Sequence, residues 1–327
     1  MIQTNWVIAR LRQQWPHLEI AVEHIHTTGD HITDRPLAQI GGDGVFVTEI
    51  ERVLREGHID LAVHSLKDLP TMQPEGMRIV VPGPREDVRD VLVSSVPVQL
   101  TAHGLCSPAA SESLSPSLRL GTGSLRRTAQ IRAWLPDAQM LPIRGNVDTR
   151  LRKLAAGDYD AILLAAAGLH RLAVQPSDIQ HQHHMLYFPT DQMLPAPGQG
   201  ALGLEIRDEP ALRTLVEPLG DVAVQAAVSA ERMFMRRLGA GCYLPVAAYG
   251  DLREDRLTLQ GLVISLDGQQ QVRVEQSVAW HPHTMDIADI AVAEQLGNDL
   301  AEQALEQGAS AIIQGVNVTR MQEHQHV

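Results

Sequence analysis

Between Leu118 and Lys153 the chain reads LRLGTGSLRRTAQIRAWLPDAQMLPIRGNVDTRLRK, which gathers Arg119, Arg126, Arg127, Arg132, Arg144, Arg150, Arg152 and Lys153 against only Asp137 and Asp148. In a chain of net charge −12, such a local excess of guanidinium points to a pocket for a small, multiply anionic ligand. A nucleic-acid binder would spread its basic surface more widely. Arginine suits carboxylates in particular, because its planar fork matches their two oxygens. Within this stretch GTGSLRR, residues 121–127, stands between a strand and a helix. Exposed N–H groups at a helix start, the Thr122 and Ser124 hydroxyls, and Arg126 and Arg127 together make an anion site. Alone, the motif reads first as an ordinary capped helix with solvated arginines. It is not a dinucleotide fingerprint, because Arg126 stands where a third glycine is needed, and the chain has no G-K-[ST] phosphate loop. IRGNVDTR, residues 143–150, repeats the arrangement with Arg144 at a strand end and Arg150 inside the next helix. Two successive strand ends carrying arginine in one sheet aim at one cleft. Arg171 is placed to reach the same side, or to serve only as a helix C-terminal charge.

Two further segments carry reactive types. In HSLKDLP, residues 64–70, Lys67 and Asp68 follow a short apolar strand. A carboxylate there can stabilise a developing cation or shuttle a proton, although an aspartate before Leu69-Pro70 is also an ordinary turn residue. Cys242, in LGAGCYLP, lies just beyond a helix end with Arg236 and Arg237 nearby, a setting that favours thiolate; a buried inert cysteine is the plainer alternative. The His181–His184 run, HQHH, has no acidic or cysteine partner close by and reads as a solvated insertion rather than a metal site.

The elements that must position these groups follow from periodicity. Helical spacing covers Thr4 to Gln14 and stops at Trp15-Pro16; Leu18 to Ile25 alternates like a strand. A flexible Gly41–Gly44 loop precedes a helix from Val45 to Glu56. Strands are expected at 61–63, 77–81 and 91–95, with a long surface loop containing Cys106 over 96–117. Then come strand 118–120, helix 124–134, strand 140–143, helix 147–156 and strand 161–165, an alternation that argues for a parallel sheet. Pro82-Gly83-Pro84 and the 191–206 segment, rich in proline and glycine, read as two crossings between lobes. They divide the chain into one lobe of residues 1–83 with 195–218, a second of 84–194, and a C-terminal α+β domain of 219–327. That last domain should hold a helix over 221–238, strands at 246–249, 257–264 and 271–278, and a final helix over 287–307. The expected class is therefore α/β, two lobes with mostly parallel sheets plus an α+β domain.

At 327 residues and 44% hydrophobic, the chain is long enough for two or three domains with proper cores. Aromatics at 3% weaken any model that stacks bases on aromatic platforms, so no nucleic-acid partner is expected. Cys106 and Cys242 form no CxxC pair, which points away from disulfides and zinc and towards a reducing cytoplasm. No secretion signal is recognisable, and the longest apolar run, 161–169, is too short for a bilayer, so no membrane partner is expected.

Taken together, HSLKDLP, GTGSLRR, IRGNVDTRL, GDYDAILLAAAGLHRL, LPAPGQGALGLEIR and GAGCYLP resemble, in this order, the motif set of the hydroxymethylbilane synthase (porphobilinogen deaminase) family. They span about Gly41 to Gly250. The resemblance implies two lobes like those of a periplasmic binding protein, a third domain carrying a cysteine, and a monomer. It also implies an activity: head-to-tail condensation of porphobilinogen with release of ammonia, built on a dipyrromethane cofactor held by a thioether to Cys242. Asp68 would be the catalytic residue. Ser65, Lys67, Thr122, Ser124, Arg126, Arg127, Arg144 and Gly145 would hold the cofactor, and Arg150, Arg171 and Gln199 the substrate. No metal is implied. The chain departs from the family pattern in three respects. Its opening strand, roughly R-I-x-T-R-x-S-x-L-A, has no counterpart here; Asp43 and Thr48 replace two lysines; and Gly123 replaces a serine. Two expectations follow: a natural start upstream of Met1, or a catalytically impaired homologue that binds an anionic tetrapyrrole or dicarboxylate between its lobes.

Overall fold

The computed structural model describes residues 1–25, 47–101, 104–106, 118–174, 183–241, 244–281 and 287–325. In the first lobe, α1 (Ile2–Gln14) and α2 (Thr48–Arg55) lead into β1 (Leu61–Ser65), a single 3-10 turn (Leu66–Asp68) and β2 (Met77–Val80). The second lobe holds β3 (Asp90–Ser94), a hairpin of β4 (Gln99–Thr101) and β5 (Gly104–Cys106), and β6 (Arg119–Gly121). It continues with α3 (Leu125–Trp134), β7 (Gln139–Leu141), α4 (Val147–Ala155), β8 (Ala161–Ala165), α5 (Ala166–Arg171) and β9 (His184–Tyr187). The chain then returns to the first lobe as β10 (Leu202–Arg207) and α6 (Pro210–Val216). The C-terminal domain comprises α7 (Val222–Arg237), β11 (Val246–Arg253), β12 (Arg256–Ile264), β13 (Gln271–Ala279), α8 (Ile287–Glu306) and α9 (Ala309–Gln325).

The α/β class holds, but the sheets are mixed rather than mostly parallel. In the first lobe β10 lies between β1 and β2 and runs antiparallel to both. In the second the order is β7-β6-β8-β3-β9, with β6 parallel to β7 and β8, and β3 antiparallel to β8 and β9. The physical reason is the crossings. A strand joined to its neighbour through a helix enters from the same end, whereas β3 and β10 arrive directly from the other lobe and enter from the opposite end.

Strand β3 is buried along its whole length, as is most of β8, because helices and loops cover both faces of this sheet and select continuous apolar runs. Leu92, Leu120 and Leu163 face Ile131 and Phe188 on one side; Val91, Val93, Ile162 and Leu164 face Leu154 and Leu169 on the other. In the first lobe Val7 and Leu11, one helical turn apart, anchor α1 on Leu204, Ile206 and Val216. The C-terminal sheet is an antiparallel meander, β11-β12-β13, whose core includes Phe234, Leu257, Leu259, Trp280 and Leu300.

Several expectations are corrected. Leu18 to Ile25 forms no strand: Leu18 and Ile20 pack on the lobe core while Glu19, Val22 and Glu23 are exposed, so the alternation records burial without a neighbouring ladder. The supposed surface loop at 96–117 contains the β4–β5 hairpin, in which Leu105 and Cys106 are buried. His184 opens β9, while His181, the Gly41–Gly44 loop and Asp43 lie outside the described residues. A further helix, α9, follows the expected last one.

Candidate functional site

Three strand ends and one crossing build the site. After β1 the chain tightens into the 3-10 turn, which buries the Leu66 and Leu69 side chains, leaves Lys67 half-buried and exposes Asp68. Ser65 Oγ accepts from Gln3 Nε2 at 2.9 Å. After β6, Thr122 is buried; its Oγ1 accepts from Ser124 N at 3.1 Å. Ser124 caps α3 by accepting from Arg127 N, which leaves neighbouring N–H groups of the helix start directed outward. After β7, Gly145 takes φ +106°, where a side chain would also collide with Thr149. Asn146 then caps α4 by accepting from Thr149 N at 2.9 Å, and Arg150 Nε donates back to Gly145 O at 2.8 Å.

Arg126 and Arg127 are both committed to one buried carboxylate. Arg126 Nη1 donates to Asp90 Oδ2 at 2.6 Å, and Arg127 Nε to Asp90 Oδ1 at 2.9 Å. Their remaining bonds reach the Leu194 and Leu163 carbonyls. Gln199, fully buried on the return crossing, donates to Asp90 Oδ1 at 3.0 Å and to Val88 O, while its Oε1 lies 3.4 Å from Lys67 Nζ. Burial alone would raise the Asp90 pKa, but the two guanidinium charges outweigh it and hold the carboxyl far below its usual range. Arg171 does not point to the same group: its Nη2 donates to Gly200 O at 2.6 Å, tying α5 to the return crossing.

The cations are crowded. Burial pushes Lys67 down to about 8, with Arg127 and Arg126 adding to the effect and Asp68 and Asp90 opposing it. Arg150 is lowered by burial, then by Arg127 and Arg144, with Asp68 opposing. Lys67 and Arg150 thus both feel the charges of Asp68 and Arg127 across the two lobes, and Arg150 also feels Arg144. With Asp90 already shared by two arginines, cation exceeds carboxylate in this cleft. That excess, next to outward N–H groups and hydroxyls, is complementary to a ligand bearing several carboxylates.

Four contributors were not foreseen. Asp90 closes a charged run, Arg85 to Asp90, in which no local pattern marks it as buried. Glu231 of α7 is wholly buried. Its Oε1 accepts from Arg85 Nη1 at 2.7 Å and Gly250 N at 2.8 Å, and its Oε2 from Gly198 N at 2.6 Å. Arg85 Nε also donates to Gln199 O. Arg232, next along α7, donates to backbone carbonyls of the HSLKDLP turn. The available signal was Glu231 itself, a lone carboxylate in register with Ala227, Phe234 and Leu238 on the apolar stripe of α7. Cys242 lies outside the described residues; Ala240 and Leu244 on either side of it are buried in the C-terminal core. Of the positions that differ from the family pattern, Thr48 opens α2 and Gly123 is exposed at the cleft. Among the described residues no group of His, Cys, Asp and Glu is arranged to hold a metal ion, and no helix is long and apolar enough to cross a membrane.

Two α/β lobes joined by paired crossings, an arginine-rich cleft between them and a third domain braced against both crossings define a two-lobed binder or transferase of small polyanions. Residues 1–213 match the family model described as porphobilinogen deaminase, dipyromethane cofactor binding domain, and residues 225–306 match that of the porphobilinogen deaminase C-terminal domain. The porphobilinogen deaminase of Syntrophus aciditrophicus is 42% identical over 315 residues, 96% of this chain and 94% of its own. That of a Roseiflexus species is 43% identical over 317 residues, 96% and 95%. Among solved structures, the Bordetella pertussis BvgS periplasmic VFT2 domain aligns with a TM-score of 0.36 at 15% identity, over 66% of this chain and 75% of that one, a likeness too distant to carry weight. The chain belongs to the porphobilinogen deaminase family.

Proposed function

We propose that the protein is a hydroxymethylbilane synthase. It condenses four porphobilinogen molecules head to tail, releases one ammonia at each condensation, and frees the linear hydroxymethylbilane with water. Asp68, exposed in a cleft otherwise dominated by Lys67, Arg127, Arg144 and Arg150, is the observation that carries this reading. The growing chain bears acetate and propionate groups, so a cationic cleft binds it, while the departing ammonia leaves positive charge on pyrrole nitrogen that only a carboxylate stabilises.

The residues present fit a dipyrromethane, because the cleft's cations outnumber its carboxylates and Asp90 is already engaged by two of them. When bound, that group supplies the pyrrole carbon from which the chain is extended. Cys242 would hold it through a thioether. Lys67, Thr122, Ser124, Arg144 and the backbone at Gly145 would orient its carboxylates. Arg126 and Arg127, fixed on Asp90, supply positive field from beneath. Arg150 is the substrate-side cation, and Gln199 and Arg171 fix the return crossing that floors the cleft. The Asp68 carboxylate, exposed in the cleft, would stabilise the positive charge that develops on pyrrole nitrogen. We place the enzyme in the cytoplasm as a monomer without nucleic-acid partner; the net charge of −12 and 3% aromatic content support the last point.

The test is porphobilinogen consumption with ammonia measured in parallel. The purified protein is expected to release one ammonia per porphobilinogen consumed, and Asp68→Asn to lower kcat on the order of a hundredfold. A wild-type protein that consumes no porphobilinogen would contradict the proposal.

A further inference from the structure

The carboxylate proposed to do the chemistry is exposed, and its position rests on the backbone of a single 3-10 turn. Leu66 N donates to Ala201 O at 3.0 Å, and two sets of side-chain contacts add to that backbone tie. Leu66 and Leu69 insert into a small apolar cluster with Val228 of α7, Val81 and Ala201. One helical turn further along α7, Arg232 reaches three carbonyls that bracket Asp68: Nη1 lies 3.2 Å from Leu69 O and 3.5 Å from Leu66 O, and Nη2 lies 2.6 Å from Pro70 O. Leu66 O also accepts from Leu69 N at 3.1 Å, closing the turn. An isolated 3-10 turn has poor hydrogen-bond geometry and little intrinsic persistence. A guanidinium fork spread over its carbonyls makes its geometry a property of the C-terminal domain.

We propose that Arg232 is a positioning residue for the reaction: from the third domain it sets where the Asp68 carboxylate stands in the cleft between the two lobes. Its bonds to this turn all go to backbone carbonyls, so it acts on the chemistry through the placement of Asp68. The same helix turn carries Glu231, which grips both crossings. Helix α7 therefore fixes the catalytic turn and the crossings as one unit, and the proposal rests on the functional reading above.

The experiment is steady-state kinetics with porphobilinogen on the full-length protein, as wild type, Arg232→Ala, Asp68→Glu and the double variant, with intact mass recorded for each. Displacement of a reacting group by about 1 Å costs up to roughly a hundredfold, so Arg232→Ala is expected to lower kcat tenfold or more. KM should stay within about twofold, because the bonds removed from the turn go to backbone carbonyls. Cofactor mass should match wild type. In the Asp68→Glu background, where the carboxylate is already misplaced, the same substitution should cost much less than in the wild type, since groups acting through one another are not additive. A generally loosened fold would instead multiply the two losses in full. Full multiplication, a raised KM with unchanged kcat, a lost cofactor mass, or wild-type kinetics in Arg232→Ala would each overturn the proposal. Should the alanine variant not fold, Arg232→Lys keeps the charge but cannot span three carbonyls; it is expected to lose kcat at constant KM, and wild-type kcat in it would overturn the proposal. A wild-type protein that consumes no porphobilinogen overturns the functional reading and this inference together, whereas an active wild type with an indifferent Arg232 overturns this inference alone.

Discussion

Lys67 and Asp68 are adjacent in sequence yet differ in exposure, and the difference sets their chemistry. Lys67 lies half under the lobe and gives up its proton near pH 8, mainly because burial disfavours its charge. In the free enzyme it is therefore a cation below about pH 8 and neutral above. Because kcat/KM reports the free enzyme, it should fall as pH rises through about 8, and Lys67→Arg, charged throughout, should remove that limb of the profile. An unchanged profile in the variant would assign the limb elsewhere. The sign for stability is opposite. The folded state binds this proton more weakly than the unfolded chain, whose lysine titrates near 10.4, so the site weakens the fold at neutral pH and relieves it between about 8 and 10.4. At this scale the sequence was informative where a reactive type stood at a strand end, as with Lys67, Asp68 and Arg144. It was uninformative about pairing. Asp90 is 36 residues from Arg126 in the chain, and no local pattern marks it as the partner of two arginines.

The tie between β3, α3 and the return crossing is the site's structural floor, and it is made of charge. Asp90 sits at the first position of β3, Arg126 and Arg127 in the first turn of α3, and Gln199 on the crossing. Removing the carboxylate leaves two buried guanidinium groups uncompensated, so Asp90→Asn should cost about 3–5 kcal/mol at neutral pH. Because the folded-state pKa of Asp90 is depressed, its contribution is present above about pH 4 and fades below. Calorimetry should show the gap between wild type and variant narrowing as pH falls through that range; a gap that stays constant would mean the carboxylate's charge is not what matters. Elements with strong periodicity and clear stops, such as α1, α3 and β8, were legible. The antiparallel entry of β10 was not, because strand direction depends on how the chain crosses between lobes, which periodicity does not encode. Nor was the absence of a strand at Leu18 to Ile25, since a pleated pattern needs a neighbour to become a sheet.

At the scale of the molecule, α7 of the third domain bears on the chemistry of the other two. Glu231 receives bonds from both crossings and from β11, and Arg232 from the same helix turn grips the loop of Asp68. The crossings themselves are fitted closely: Gly200, at φ +85°, would drive a side chain to 2.3 Å from Glu86 O. A chain that lengthens by one ring per cycle requires either that the lobes shift around such joints or that the product slide through the cleft, and α7 of the third domain bonds to both crossings. The six-motif resemblance made the family legible from the sequence, while this bracing was hidden in a single carboxylate on an apolar helix stripe. The central claim, that a two-pyrrole group made from porphobilinogen is carried on Cys242, is tested most directly by the intact mass of the purified full-length protein with Cys242→Ala as control. The account predicts a mass increase matching two linked pyrrole units in the wild type and none in the variant. A wild-type chain at its unmodified mass, unchanged after incubation with porphobilinogen, would contradict it.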